Sequence, residues 1–300
     1  MISQADLKDI IVKVMEEMEK EIQEPLYEAN KEDSRSNEKV VIDNVPDEEL
    51  RDITQEKMKD VFCVPNPVNK EEYLKLKSKT AARLGVWRAG TRAKTENLLR
   101  FRADHAVAQD AVFSDVSEEF IEELGLKSYE TKCEDKDMFL TRPDLGRKFD
   151  DKTLEQIKAD CENNPQVQVY ISDGLSSTAI EANVKDTLPA ILDGLKGSGV
   201  KVGTPFFVKY GRVGAEDEIA KVLNADVTCV LIGERPGLAT GESMSAYMVY
   251  KGYPGIPEAK RTVVSNIHKD GTPAAEAGAH IADILKKILE AKASGVDLKL

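Results

Sequence analysis

VQVYISDGLSSTAIEANVKDTLPAILDGL, residues 167–195, decides the fold class of this 300-residue chain. Val167–Ser172 is a short β-rich run. Asp173-Gly174 then turns the chain, and Ser177–Leu195 carries the apolar spacing of a helix. A strand that passes through a glycine turn into a helix is the opening of a βαβ unit. The alternation continues downstream. Val200–Val202 and Pro205–Tyr210 read as β segments, residues 215–223 as a helix and Val227–Ile232 as a continuous apolar strand. Thr262–Ile267 is a further strand, and Ala274–Ala293 a long closing helix. Strands apolar on both faces, alternating with helices, predict a parallel sheet covered on both sides.

Upstream the texture differs. Residues 47–150 read as mainly helical, with no parallel-sheet pattern. A helix is expected from Asp47, after Pro46, to about Phe62, where Pro65 and Pro67 break the chain. Others are expected over Thr95–Val112 and Ser117–Leu124, the latter with Ser117 as N-cap and Gly125 after its end. At the amino terminus Leu7, Ile10, Ile11, Val14, Met15 and Met18 build one apolar stripe on a short amphipathic helix. Residues 23–46 are polar and lack periodicity, the composition of a disordered linker. A short helix on a polar tether is either a docking or targeting tag or a helix folded back on its own core, and the sequence leaves both open. Four segments result: a docking helix over 1–22, a linker with a possible helix over 23–75, a helical domain over 76–150, and an α/β domain over 151–300. The fold class is α/β, with an open, mostly parallel, Rossmann-like sheet in the last segment.

The net charge of −12 is uneven: residues 1–50 hold 15 acidic and 6 basic side chains. Nucleic acid is therefore an unexpected partner. No apolar run is long enough for a membrane span, and Met1–Lys20 lacks a secretory pattern. The four cysteines (Cys63, Cys133, Cys161, Cys229) form no C-x-x-C pair, so free thiols are the simplest reading. Residues 79–105 reverse the charge: Lys79, Arg83, Arg88, Arg92, Lys94, Arg100 and Arg102 face only Glu96 and Asp104. Arginine suits bidentate ion pairs, so this stretch is expected to make a contact, with an acidic partner or within the chain.

In an open parallel sheet, ligands bind at the carboxyl ends of the strands. Three loops there carry glycine: Ser172–Ser177, Tyr210–Gly214 and Gly233–Gly237. Each alone could be a tight turn; three at one end of a sheet suggest a binding crevice. Neither a G-x-G-x-x-G turn nor a G-x-x-x-x-G-K-[ST] loop is present, so the crevice does not suit a standard nucleotide phosphate. His105, His268 and His280 lack catalytic surroundings in the sequence, and no serine elbow or metal-ligand spacing occurs. A binding subunit explains this better than a self-sufficient enzyme.

Several long motifs then make the chain resemble one family. Arg88-Ala89-Gly90-Thr91-Arg92, Leu98–His105, Leu140–Arg147, Ile171–Ser176, Val202–Val213, Gly233–Gly237 and Ser265–His268 occur in the order of the ethanolamine ammonia-lyase small subunit. The resemblance covers about residues 79–300. It implies conversion of ethanolamine to acetaldehyde and ammonia by radical chemistry, with adenosylcobalamin (coenzyme B12) as the radical source. It further implies a large subunit, a TIM barrel, that carries the substrate and most catalytic residues. The small subunit's α/β domain would close over the cobalamin in a hetero-oligomer of large–small pairs. The family's pathway is often housed in a bacterial microcompartment within the cytoplasm, whose shell or lumen the amino-terminal helix would engage. Three cofactor-contact positions carry over onto Val213, Glu234 and Val263. Corrin side-chain amides need carbonyl, N–H and carboxylate partners, which suits Glu234 and the backbone at Val213. Some relatives have cysteine where this chain has Val263. The D-x-H-x-x-G motif of base-off cobalamin proteins is absent, in keeping with base-on binding. A stand-alone α/β oxidoreductase and a non-catalytic interaction module are the competing readings.

Overall fold

The computed structural model describes residues 52–299. The helix expected over 1–22 and the linker up to residue 51 lie outside the described residues.

Residues 52–62 form turns, not the expected helix. Asp52 accepts from the Thr54 N–H (2.8 Å) and hydroxyl (2.6 Å), which competes with helix formation. Arg100 takes the Ile53 and Glu56 carbonyls (2.5 and 2.7 Å) that a helix would need for its own ladder. A short helix α1 (Lys70–Lys77) follows, capped by Asn69. A two-stranded ribbon, β1 (Arg88–Ala89) and β2 (Arg92–Ala93), leads into α2 (Thr95–Phe113), the helix expected there. Helix α3 (Glu118–Glu123) has the expected Ser117 cap, and Gly125 takes φ +65° just beyond it.

The next element departs from the expectation. Lys127–Glu130 is a strand, β3, parallel to residues Phe206–Lys209. Only Tyr129 of its four residues is buried, so it shows no apolar run. Helices α4 (Lys136–Thr141) and α5 (Asp151–Asp160) follow, then β4 (Val167–Ser172), α6 (Ser177–Gly197), β5 (Phe206–Lys209), α7 (Ala215–Leu223) and β6 (Val227–Gly233). Val200–Val202 contributes a single bridge to Val167 in place of a strand. The chain closes with β7 (Met244–Tyr250), β8 (Thr262–Ile267) and α8 (Ala274–Ala291). β7 is an addition to the elements expected from sequence.

The six strands order as β3-β5-β4-β6-β7-β8. The first three pairings are parallel and the last two antiparallel, because β7 alone runs against the rest. The protein is thus α/β with a mixed sheet. Helices α6 and α8 cover one face: Ile180, Val184, Ile191, Ile281, Leu285 and Ile288 pack on Val169, Ile171, Leu231, Met244 and Ala246. The other face carries α5 and α7, through Ile157, Ile219 and Leu223 on Tyr170, Phe206, Val208, Val230 and Ile232. Each such buried side chain contributes roughly 1.5–3 kcal/mol. On this second face, β8 is left open: Val263 is 45% exposed.

Candidate functional site

Loops β4–α6, β5–α7 and β6–β7 leave the sheet at one end, the carboxyl ends of three parallel strands, as the sequence suggests. Gly174 of the first loop and Gly233 of the third, however, serve each other. Gly174 takes φ +56°, and a side chain there would meet Ile232 and the Gly233 backbone. A side chain on Gly233 would collide with the Asp173 and Ser176 carbonyls. Leu175 N–H donates to the Gly233 carbonyl (2.9 Å), closing the two loops together. The close approach read as room for a ligand is filled by a neighbouring loop.

Asp173 lies under this crest, 1% exposed. Its Oδ1 accepts from Gly174 N–H (2.9 Å) and Ser172 hydroxyl (3.3 Å). Its Oδ2 has no hydrogen-bond donor; the Lys136 ammonium stands 3.9 Å away. Burial raises its carboxyl to about 6 against the pull of Lys136. Lys136 is itself paired with Asp115 (3.0 Å) and sits over the Tyr210 ring (5.2 Å). Tyr210 has the left-handed φ of +58°, held by its stack on Phe139 (5.9 Å) and by Lys209 over its ring (4.9 Å). Arg212 stacks on Phe139 (4.0 Å) and donates to the Phe139 carbonyl (2.6 Å). The strained turn before Val213 is therefore braced from below.

The three carried-over positions sit as follows. Glu234 is half-buried, at the end of β6, and its Oε1 accepts from the Tyr247 hydroxyl (2.7 Å). Val263 on β8 is the register partner of Tyr247 on β7, so the two side chains share the open face. Val213 is half-buried and, like Tyr247, packs against the α5–α7 core. Tyr247 thus joins Glu234 to Val263, and all three positions border one face. Glu234 keeps Oε2 for another donor; Val213 and Val263 offer apolar contact. A neutral, amide-rimmed, largely apolar ligand fits such a surface. Among the described residues, no three His, Cys, Asp or Glu side chains converge on a metal position.

A buried ionic cluster stands behind this face. Arg261, just before β8, forks onto Asp217 (3.0 and 2.9 Å), donates to Glu216 and bonds Glu258 (2.8 Å). A cavity of about 260 Å³ borders it, lined by Arg147, Gly214, Asp217 and Glu258 among others. Tyr247 and this cluster were not singled out from sequence. The β-forming run MSAYMVY over 244–250 was the available signal for the first; the second joins residues about 44 apart, which spacing does not reveal.

The basic stretch turns partly inward. Asp104 pairs with both Arg83 and Arg100, and Arg83 also reaches the Leu238 carbonyl (3.1 Å). Its apolar residues point outward: Trp87, Leu98, Leu99 and Phe101 are exposed. No helix among the described residues is long and apolar enough to cross a membrane.

Comparison with known proteins gives a consistent result. The model of the family "Ethanolamine ammonia-lyase light chain (EutC)" matches residues 70–299. The ethanolamine ammonia-lyase small subunit of Fusobacterium nucleatum is 58% identical over 300 residues, covering 100% of both chains. That of Clostridium tetani is 56% identical over 305 residues, again 100% of both. That of Listeria monocytogenes is 55% identical over 262 residues, 87% of this chain and 89% of the relative. The likeness thus extends beyond the motif-bearing residues 79–300.

Proposed function

The chain belongs to the ethanolamine ammonia-lyase light-chain family, and from that premise we propose that it forms one wall of an adenosylcobalamin site shared with a large subunit. Its relatives are lyase subunits, and "small subunit" names a larger partner. When bound, adenosylcobalamin supplies the radical by homolysis of its cobalt–carbon bond. This chain's part is to bind and orient. Glu234 accepts from corrin amide N–H groups, and Tyr247 fixes its carboxylate. Val213 and Val263 present apolar surface and backbone. The parallel strands β3 to β6 act as a Rossmann-like scaffold whose crest supports the turn before Val213. Substrate chemistry belongs to the large subunit, in a hetero-oligomer of large–small pairs.

The observation that carries this reading is the Tyr247 link between Glu234 and Val263 on the open sheet face. Titration of the reconstituted large–small pair with cyanocobalamin, followed by absorbance, tests it. Val263→Arg should weaken binding at least tenfold, because a charged side chain would be set against the apolar macrocycle. Unchanged binding would remove Val263 from the wall.

The segment over 76–150 is the proposed large-subunit contact. Nine of the fifteen exposed large hydrophobic side chains among the described residues lie between Leu76 and Phe113, a concentration expected of an interface. Residues 1–22 are proposed to direct the chain to a bacterial microcompartment in the cytoplasm. A reporter fused to them should become punctate in cells that make such compartments, and diffuse signal would count against it.

A further inference from the structure

We propose that Arg261 is a positioning residue: its guanidinium sets the separation between the loop carrying Val213 and the strand carrying Val263. This rests on the reading of those residues as a cobalamin wall.

The geometry is direct. Glu216 and Asp217 lie in the first turn of α7, three and four residues after Val213. Arg261 is the residue before β8, two before Val263. The Arg261 side chain is 2% exposed, and the Glu216 and Asp217 side chains 0% and 7%. Two parallel N–H bonds to Asp217 fix distance and plane together, which a point charge cannot do. Glu258, 67% exposed at its side chain, completes the fork from the turn before β8.

Stability alone does not explain the cluster. Buried ion pairs are often matched or exceeded by apolar side chains of similar volume. Here one guanidinium faces three carboxylates. Burial pushes the Glu216 carboxyl up to about 8, opposed by Arg261, and Glu216 Oε2 has no partner. Such a costly arrangement makes sense where the register of two ligand-bearing segments matters. The bonds from Arg261 to Asp217 and Glu216 define one relative placement of α7 and β8, whereas an apolar contact would tolerate sliding.

Arg261→Lys keeps the charge and loses the fork. Asp217→Asn keeps the shape and one acceptor, and serves should the lysine variant fold poorly. Each is assembled with the large subunit. Cyanocobalamin affinity is read by absorbance, coenzyme KM and kcat by turnover, and folding by the thermal midpoint. Loss of a charge-assisted pair predicts that Kd and coenzyme KM rise together by about tenfold in Arg261→Lys. Asp217→Asn should follow in the same direction by a smaller factor, and kcat at saturating coenzyme should stay within about twofold. Normal affinity in both Arg261→Lys and Asp217→Asn, alongside weakened binding in Val263→Arg, overturns the positioning role and leaves the wall intact. A drop in kcat with unchanged KM also overturns it. Normal affinity in Val263→Arg overturns the wall itself.

Discussion

Tyr247→Phe isolates one hydroxyl at the centre of the proposed wall. The ring remains, so its packing on the α5–α7 core and its pairing with Val263 persist. What disappears is the 2.7 Å donor to Glu234 Oε1. Hydrogen bonds to charged groups contribute roughly 1.5–3 kcal/mol, and partial exposure of both groups places this one near the lower end. At 1.4 kcal/mol per decade, freeing the Glu234 carboxylate should raise the cobalamin Kd of the reconstituted complex by about tenfold. Burial, and then Glu234 itself, hold the Tyr247 hydroxyl protonated far above neutrality. The loss should therefore be the same at pH 7 and pH 9. The assay is an absorbance titration with cyanocobalamin at both values, with the thermal midpoint recorded alongside. Affinity within twofold of wild type would refute the claim that Tyr247 orients Glu234. A loss present at only one pH would refute the claim that its hydroxyl is the donor throughout.

Three further perturbations probe the crest and its supports. Gly174→Ala sets a side chain at φ +56° against Gly233 and Ile232 and should cost about 3 kcal/mol or more, read as a lowered urea midpoint. Ser176 caps α6 by accepting from Ala179 N–H (3.1 Å), so Ser176→Ala should cost about 1–2 kcal/mol, read as a drop in melting temperature. Asp173 is buried, with a carboxyl raised from 3.8 to about 6, so its contribution favours folding most below pH 4 and is lost as pH rises through 6. Two units correspond to about 3 kcal/mol, and Asp173→Asn should flatten the fall in stability between pH 4 and 7 by an amount of that order; an unaltered slope in urea titrations would contradict the assignment.

How much of this was legible depends on whether the signal was local. The stretch 167–195 carries its own strand, turn and helix, and β4 and α6 stand where it places them. α7, β6, β8 and α8 follow for the same reason. β3 escaped because an edge strand buried only at Tyr129 has no periodicity to read. The helix expected from Asp47 to about Phe62 is absent over the described residues 52–62, where Arg100, more than forty residues away, takes the carbonyls of Ile53 and Glu56. The site divides along the same line. Glycines at the strand ends marked the crest, yet their cause was misassigned: a sequence cannot show that the space beside Gly174 is filled by Gly233. Glu234 and Val263 came from resemblance as separate positions, and the strand that connects them was absent from the reading. Once β7 is in place, Tyr247 touches one and is paired with the other. That changes what a substitution at position 263 means. Its backbone place beside Tyr247 is set by the register of β7 and β8. On the proposed wall, a valine there offers the same backbone place and an apolar side chain, so the loss of a cysteine thiol does not by itself argue against a contact at Val263.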